Sequence, residues 1–359
     1  MPEPLVLFVP LYGGGGTGEF VRAVSLAQAL ARRAPRTRIE FLLPGGPGTR
    51  HDVPFPHLIH DGPPQTKGEF DRATLARLRP DLAIFDSGCR TATLRCCRRL
   101  GIRSAYVSDR AGTRRKAFRL DWLPLLDAHW HQRELLTAPA FTLTQRLLAR
   151  FGRARRLAFD LCGSEEGADW NALPELWRQR LQRPFVLFAP GGGGYRVEGR
   201  TVGEIFLHAA EALHAACGVE CLTLTGALTP ETAAQARHTL ARPTLSQPLY
   251  LALLRRAQLV ITNGGQGLHQ ALAAGAVCVC APLGGDDQPG RIAVYARRGW
   301  ILAAPPRAED LCRIALELLH NAAARAALRA RVGALSLVNG IPLMVGEIER
   351  LLHSGGSPR

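Results

Sequence analysis

Lysine is nearly missing from this chain: of its 45 basic residues only Lys67 and Lys116 are lysines. So strong an arginine and alanine bias reflects codon composition as well as function, and the net charge of +15 alone selects no partner. No aromatic-basic interleaving and no known nucleic-acid module is present, so nucleic acid is not an expected partner. The nine cysteines contain no CxxC pair. With an odd count, that argues for free thiols in a reducing compartment, and the cytoplasm is the expected location. No apolar run is long and clean enough to span a bilayer. The uncharged stretch from Ala257 to Gly285 is interrupted by Asn263, glycines, Gln266 and Gln270. Met1-Pro2-Glu3-Pro4 lacks a basic leader, and Leu5 to Leu11 has only the length of a strand, so no signal peptide is expected. No disordered tract is visible. A chain of 359 residues with 47% hydrophobic content implies two packed domains.

What is present is a strand–turn–helix pattern, repeated. Leu259-Val260-Ile261 runs into Thr262-Asn263-Gly264-Gly265-Gln266-Gly267 and then a helix reaching Gly275. Backbone N–H groups and a helix N-terminus converge there, which suits a diphosphate. Val277 to Pro282 reads as the next buried strand, delivering Asp287 and Gln288 to the same place, where a carboxylate and an amide suit sugar hydroxyls.

Earlier in the chain, Val6 to Leu11 is a strand followed by Gly13 to Gly16 and a helix from Phe20 to Arg33. Ile39–Leu43, Leu82–Phe85 and Ser104–Val107 are further strands, the last two ending in Asp86 and Asp109. A second series opens with Phe185–Ala189, the loop Gly191 to Gly194 and a helix over Val202–Ala216. Glu220–Thr225 follows as a strand, then helices near Pro230–Leu240 and over Tyr250–Ala257. Alternation of this kind predicts parallel sheets covered by helices. The expected fold class is α/β with two Rossmann-like domains facing across a cleft. The expected boundaries are an N-terminal acceptor domain over 1–160, a linker over 161–183, a nucleotide-sugar domain over 184–335, and a helix over 336–359 that packs back on the first domain.

The first glycine loop is not a Walker loop, because no Lys-Ser or Lys-Thr follows it. Glu19 stands at the start of its helix, where general base and simple capping charge are both open readings. Asp86 and Asp109, at strand ends on the ligand edge, are open to catalytic and capping roles alike. In the second loop Gly192 and Gly193 are candidates to approach a phosphate, with Arg196 as counter-charge; a tight turn without ligand is the plain alternative. His129 and His131 share one strand face but lack a third ligand, so no metal site is expected. His269 is read as pointing outward from its helix. Between Arg90 and Arg156 sixteen basic residues face four acidic ones. That field favours anionic partners, including a phospholipid surface or a lipid-linked acceptor, unless it is only a solvated face.

By these residues the chain resembles GT-B nucleotide-sugar enzymes. It is most similar to glycosyltransferase family 28, whose best-known member forms lipid II in the cell envelope, and to the UDP-sugar hydrolase of the pseudaminic acid pathway. The likeness lies in Gly16-Thr17-Gly18-Glu19-Phe20-Val21-Arg22, in Gly191 to Gly194, and in Asn263 to Gly275 with Asp287-Gln288. Leu337-Val338-Asn339-Gly340 resembles the hydrolases. The chain has Glu19 where those families carry histidine and Gln270 where they carry the glutamate that holds the ribose.

The resemblance implies an inverting glycosyltransferase without metal or resident cofactor. Its donor is a nucleotide diphosphate sugar, UDP-linked by the likeness, and its acceptor is an unidentified hydroxyl compound. Glu19 and Asp109 are the expected catalytic residues. Gly16, Gly18, Gly192, Gly193, Arg196, Gly264, Gly265, Gln266, Gly267, Gln270, Asp287 and Gln288 are the expected nucleotide-sugar contacts. Hydrolysis of the same donor, or binding without turnover, are the alternatives.

Overall fold

The computed structural model describes residues 3–12, 17–46 and 52–353. Gly16 and the rest of the first glycine run lie outside the described residues. The chain divides into two compact units. One comprises the N-terminal strand, Gly18–Cys162 and the chain from Val338 onward; Gly163–Leu337 makes up the body of the other.

The first unit begins with β1 (Leu5–Pro10), α1 (Gly18–Arg33), β2 (Arg38–Pro44), β3 (His57–His60), α2 (Lys67–Leu78) and β4 (Leu82–Asp86). It continues with α3 (Thr91–Arg99), β5 (Arg103–Ser108), α4 (Ala111–Lys116), β6 (Ala128–Gln132), α5 (Leu143–Ala149) and β7 (Arg155–Phe159). The seven strands form one sheet in the order β3-β2-β1-β4-β5-β6-β7, and every pairing is parallel. Both faces are covered by helices, which is why β1 and β4 are buried at every position. The apolar stripe of α1, with Phe20, Ala23, Leu26, Ala27 and Leu30, recurs at helical spacing and packs on one face of this sheet. Leu26 and Leu30 are almost fully buried, each stabilising by about 1.5–3 kcal/mol.

The second unit holds α6 (Glu175–Arg180), β8 (Phe185–Ala189), the short hairpin β9 (Arg196–Val197) and β10 (Arg200–Thr201), α7 (Val202–Cys217), β11 (Glu220–Leu224) and β12 (Leu240–Arg242). Then follow α8 (Gln247–Arg256), β13 (Leu259–Asn263), α9 (Gln266–Ala273), β14 (Cys278–Ala281), α10 (Gln288–Arg297), β15 (Leu302–Ala303), α11 (Ala308–His320) and α12 (Ala322–Gly333). Its six-stranded sheet runs β12-β11-β8-β13-β14-β15, again parallel throughout. A Thr201/Glu204 capping box starts α7, and Gly218 in the left-handed region ends it. The last helix, α13 (Gly340–His353), returns to the first unit, where Ile341, Met344, Ile348 and Leu351 share a core with Leu26 and Leu30. The buried Asp160 carboxylate fixes that return. It accepts from Arg133 Nε and a terminal guanidinium nitrogen, both at 2.6 Å, and from the Val338 N–H at 2.8 Å.

Some elements differ from the sequence reading. The helix expected near Pro230–Leu240 is a short 3-10 turn over Pro230–Gln235 followed by β12. Ala236-Arg237-His238-Thr239 offers no apolar repeat to continue a helix, and Leu240 onward pairs with the edge of β11 instead. β3 and β7 carry too many polar residues to read as strands, because they are the two edges of the first sheet. Residues 163–183 hold a 3-10 turn and α6. None of the nine cysteines is disulfide-bonded. Among the described residues no helix is long and apolar enough to cross a membrane.

Candidate active site

In an open parallel sheet the strand order reverses at one point, and the loops leaving the two strands there part to open a crevice. The first sheet reverses between β1 and β4, the second between β8 and β13. Most of the described sequence-predicted residues lie on the loops and helices that leave these strands.

In the first unit, Arg22 lies one helical turn beyond Glu19 on α1 and is almost completely buried. Its Nε donates to Asp86 Oδ2 at 2.7 Å and a terminal nitrogen to Asp86 Oδ1 at 2.6 Å; the other terminal nitrogen donates to Gln132 Oε1 at 2.6 Å. Asp109 Oδ2 lies 3.6 Å from the same guanidinium. Ser87, between the two acids, holds its hydroxyl 3.2 Å from Asp86 Oδ1 and 3.1 Å from Asp109 Oδ1. Ser87 has φ of 61°, a left-handed conformation that costs about 1 kcal/mol or more for a residue with a side chain. The cluster over-determines that backbone. Asp86 therefore serves as the partner of a buried guanidinium rather than as a helix cap.

Glu19 stands against this cluster, with Arg110 at 3.8 Å. Burial, and then the Asp109 and Asp86 carboxylates, raise its carboxyl from 4.5 to about 7, with Arg22 opposing. Asp109 behaves oppositely. Burial pushes it up, but Arg22 and Arg110 outweigh that and hold it below the usual carboxylate range. Two acids, one on α1 and one after β5, thus have separated affinities for protons, one ionised and one poised near neutrality.

The His129–His131 pair, on one face of β6, is bound to a shared hydroxyl. Ser108 Oγ lies 2.9 Å from His129 Nε2 and 3.0 Å from His131 Nδ1. Burial lowers both imidazoles, His131 to about 4, so both are neutral at pH 7. Among the described residues no three His, Cys, Asp or Glu side chains converge to hold a metal. At the same edge, a cavity of about 200 Å³ is lined by Arg114, His131, Arg133, Glu134, Leu135 and Pro139.

In the second unit, Asn263 joins the two glycine loops. Its Nδ2 donates to the Pro190 carbonyl at 2.9 Å, while its Oδ1 accepts from the Gly265 N–H at 2.9 Å. Thr262 Oγ1 donates to the Ala189 carbonyl at 2.9 Å. The loop leaving β8 is thereby fastened beside the loop that opens α9. Gly193, at φ 85°, packs so tightly on Thr225 and Gly226 that a Cβ would sit 2.6 Å from the Thr225 carbonyl oxygen. That glycine is required by loop-on-loop packing, so the tight-turn reading accounts for it. Gly265 is the N-cap of α9, and Gln266 and Gly267 form its first turn. Gln270, one turn later, turns its amide toward Gly163, where a Cβ would lie 3.6 Å from Nε2.

Asp287 and Gln288 are brought to this place as well. Asp287 is the N-cap of α10 and pairs with Arg291 at 2.5 Å; the same arginine donates to the Gly264 carbonyl. Gln288 Oε1 accepts from the Leu283 N–H at 3.1 Å, so it braces the loop after β14. Arg291 was missed in the sequence, where its only signal is the spacing of four from Asp287. Arg196 is exposed and donates to the Gly199 carbonyl within its own hairpin at 2.8 Å. His269 does not point outward. It is buried and bonded through Nε2 to the Tyr295 hydroxyl at 2.9 Å, because its face of α9 packs against α10.

No protein-family model and no curated protein matches this chain. Solved structures do. A Listeria monocytogenes protein assigned as a UDP-N-acetylglucosamine 2-epimerase superposes with a TM-score of 0.60 at 14% identity, over 100% of this chain and 98% of that one. Phytolacca americana UGT2, complexed with UDP-2-fluoro-glucose and pterostilbene, gives 0.63 at 14% identity, over 98% and 100%. CalG4, the calicheamicin glycosyltransferase, gives 0.60 at 14% identity, over 99% and 100%. At such identities the likeness is one of fold, and the two parallel-sheet α/β units define that fold as GT-B.

Proposed function

We propose that the chain is a glycosyltransferase that moves a sugar from a nucleotide diphosphate sugar to an acceptor hydroxyl. The observation that carries this reading is the Glu19 carboxyl, largely buried at the first turn of α1 and poised near pH 7, in a chain whose other sheet presents two fastened glycine loops at its switch point. General-base catalysis works best when the base titrates near the working pH. The fold neighbours that bind or transfer sugars, UGT2 with its UDP-fluoro-sugar among them, support the donor class. The motifs over Gly16–Arg22 and Asn263–Gly275 support the family 28 likeness and a UDP-linked donor.

In this mechanism the N–H groups at the start of α9 and in the Gly191–Gly194 loop receive the diphosphate, with Gly264, Gly265, Gln266 and Gly267 forming the close-approach surface. Gln270 bonds the ribose hydroxyls as donor and acceptor, in the role glutamate has in the resembled families. Asp287, and Gln288 through its free amide group, orient the sugar, and Arg291 holds Asp287 in place. Glu19 takes the proton of the attacking hydroxyl, while Asp109, kept ionised by Arg22, sustains its basicity. Attack opposite the leaving diphosphate inverts the anomeric carbon. Charge developing on that diphosphate is met by the loop N–H groups. Gly18, at the first turn of α1, allows the acceptor to approach the backbone.

Thermal shift against a panel of nucleotide sugars tests the donor, since a ligand bound by the native state raises its melting temperature. UDP-sugars are expected to stabilise most. No shift with any nucleotide or nucleotide sugar overturns the reading. Hydrolysis is the second reading, favoured by the Leu337–Gly340 turn that resembles the hydrolases; rapid UDP release without an acceptor would select it.

A further inference from the structure

Gly284 and Gly285 stand together in the loop between β14 and α10, just before Asp287. Adjacent glycines leave a backbone unusual conformational freedom, a poor footing for a carboxylate that has to orient a sugar. Much of the loop is tied by hydrogen bonds. The Leu283 N–H donates to Gln288 Oε1 at 3.1 Å, the Gln288 N–H donates to the Gly285 carbonyl at 3.3 Å, and Arg291 joins Asp287 to the Gly264 carbonyl. Gly284 is held differently.

A Cβ added at Gly284 would collide with Cγ, Cδ1 and Cε1 of Tyr195. The loop backbone therefore lies directly against that ring, and only glycine lets it come so close. Tyr195 is itself anchored. Its carbonyl accepts from the Val202 N–H at 3.1 Å, at the start of the capped helix α7, and its half-buried side chain packs on the second-unit core. The ring is thus the rigid partner, and the glycine loop conforms to it. Past the contact, Gly285 takes φ of 80° and the Asp287 carboxylate folds back over it, so that a Cβ there would lie 3.0 Å from Oδ1. The ring, the two glycines and the carboxylate form one continuous path. The glycine loop before Tyr195 is fastened without the ring, since the Gly192 carbonyl accepts from the Leu228 N–H at 3.0 Å and the Pro190 carbonyl from Asn263.

We propose that Tyr195 is a positioning residue for the donor sugar: its ring sets how close the loop bearing Asp287 lies to the loops that receive the diphosphate. The inference rests on the reading above, in which Asp287 meets the sugar. Tyr195 acts through the sugar loop, while the N–H groups at the start of α9 and the Gly191–Gly194 loop keep their own ties. Its loss is therefore felt by the sugar half of the donor and not by the nucleotide half. A side chain that only stabilised the unit would affect both halves alike.

The test is calorimetric titration of the full chain with UDP, UDP-glucose and UDP-N-acetylglucosamine. Tyr195→Ala should weaken the better-bound UDP-sugar about tenfold, the worth of one hydrogen bond to a charged group, while UDP affinity holds. Gly284→Ala pushes the loop off an intact ring and should reproduce that split, which keeps the test decisive if Tyr195→Ala folds poorly. Tyr195→Phe keeps the ring and should restore the parent's ratio of the two affinities. Equal losses for UDP and UDP-sugar, no loss for either, or a phenylalanine as harmful as alanine overturns the proposal. A parent protein that binds neither UDP nor either UDP-sugar overturns the donor reading itself, and this inference with it.

Discussion

The two sheets have one plan and opposite furnishings. Each is parallel and covered on both faces, and each gathers its candidate residues at a reversal of strand order. At the first reversal the buried groups are charged: Arg22, Asp86 and Asp109. At the second they are mostly neutral, with Thr262, Asn263 and Gln288 fastening glycine turns. Moving a proton near neutral pH calls for carboxylates taken out of water and biased by fixed charges. Holding a diphosphate calls for backbone N–H groups at close range, which bulky side chains would prevent. The first solution puts stability at risk, since every buried charge depends on its partner.

The sharpest way to break the comparison is therefore Arg22→Met. It leaves Asp86 buried without its guanidinium and should cost about 4 kcal/mol in chemical denaturation, a large share of an ordinary domain's stability. Adding Asp86→Leu should restore most of it. If Arg22→Met is neutral, the cluster is not a buried ion-pair network.

Glu19→Gln comes next. Turnover should fall about a hundredfold or more, while nucleotide affinity, which the proposed mechanism places in the other unit, stays unchanged. The same variant has a stability signature. A folded pKa raised from 4.5 to about 7 means that Glu19 is tolerated best when protonated. Its favourable contribution is complete below pH 4.5 and is lost as pH rises through 7. Glutamine carries no charge to desolvate, so the variant should be more stable than the parent at pH 8 by on the order of 2–3 kcal/mol, and equal to it at pH 4. Identical melting curves at both pH values would mean that Glu19 is not desolvated.

Much of this was legible in the sequence. Buried parallel strands are continuous apolar runs, so β1, β4, β8, β13 and β14 stand out, and the loops after them mark the ligand edge. The partners of those loops were not legible. Arg22 reads as one arginine among many, because nothing in its neighbourhood announces Asp86, 64 positions away. Arg291 is equally silent. His269 was placed wrongly because a lone helix of eight residues does not reveal which face its neighbour covers. The edge strands β3 and β7 were lost because their polar residues, His57 and His60 in one and Arg155 and Arg156 in the other, leave no continuous apolar run.

In the second unit, Gly193→Ala should cost about 2 kcal/mol, since it forces a side chain into the left-handed region and against the Thr225 carbonyl. Gly290→Ala is the control. It lies inside α10 with nothing within 4 Å of a new Cβ, and should be neutral or slightly stabilising. Equal costs at the two positions would show that loop-on-loop packing is not what demands glycine at Gly193.

The smallest effect is the most diagnostic. Asp109→Asn removes a negative neighbour whose field raises Glu19, while the asparagine keeps the size and a hydrogen-bonding group for Ser87. The Glu19 carboxyl should drop by about one unit, so the acidic limb of the kcat/KM profile should move from near pH 7 toward pH 6. A residue that merely braces Ser87 and Arg22 would lower the rate at every pH and leave the limb where it was. The pH profile, rather than the rate at any one pH, therefore decides whether the first sheet's buried charges tune a base or only hold a loop.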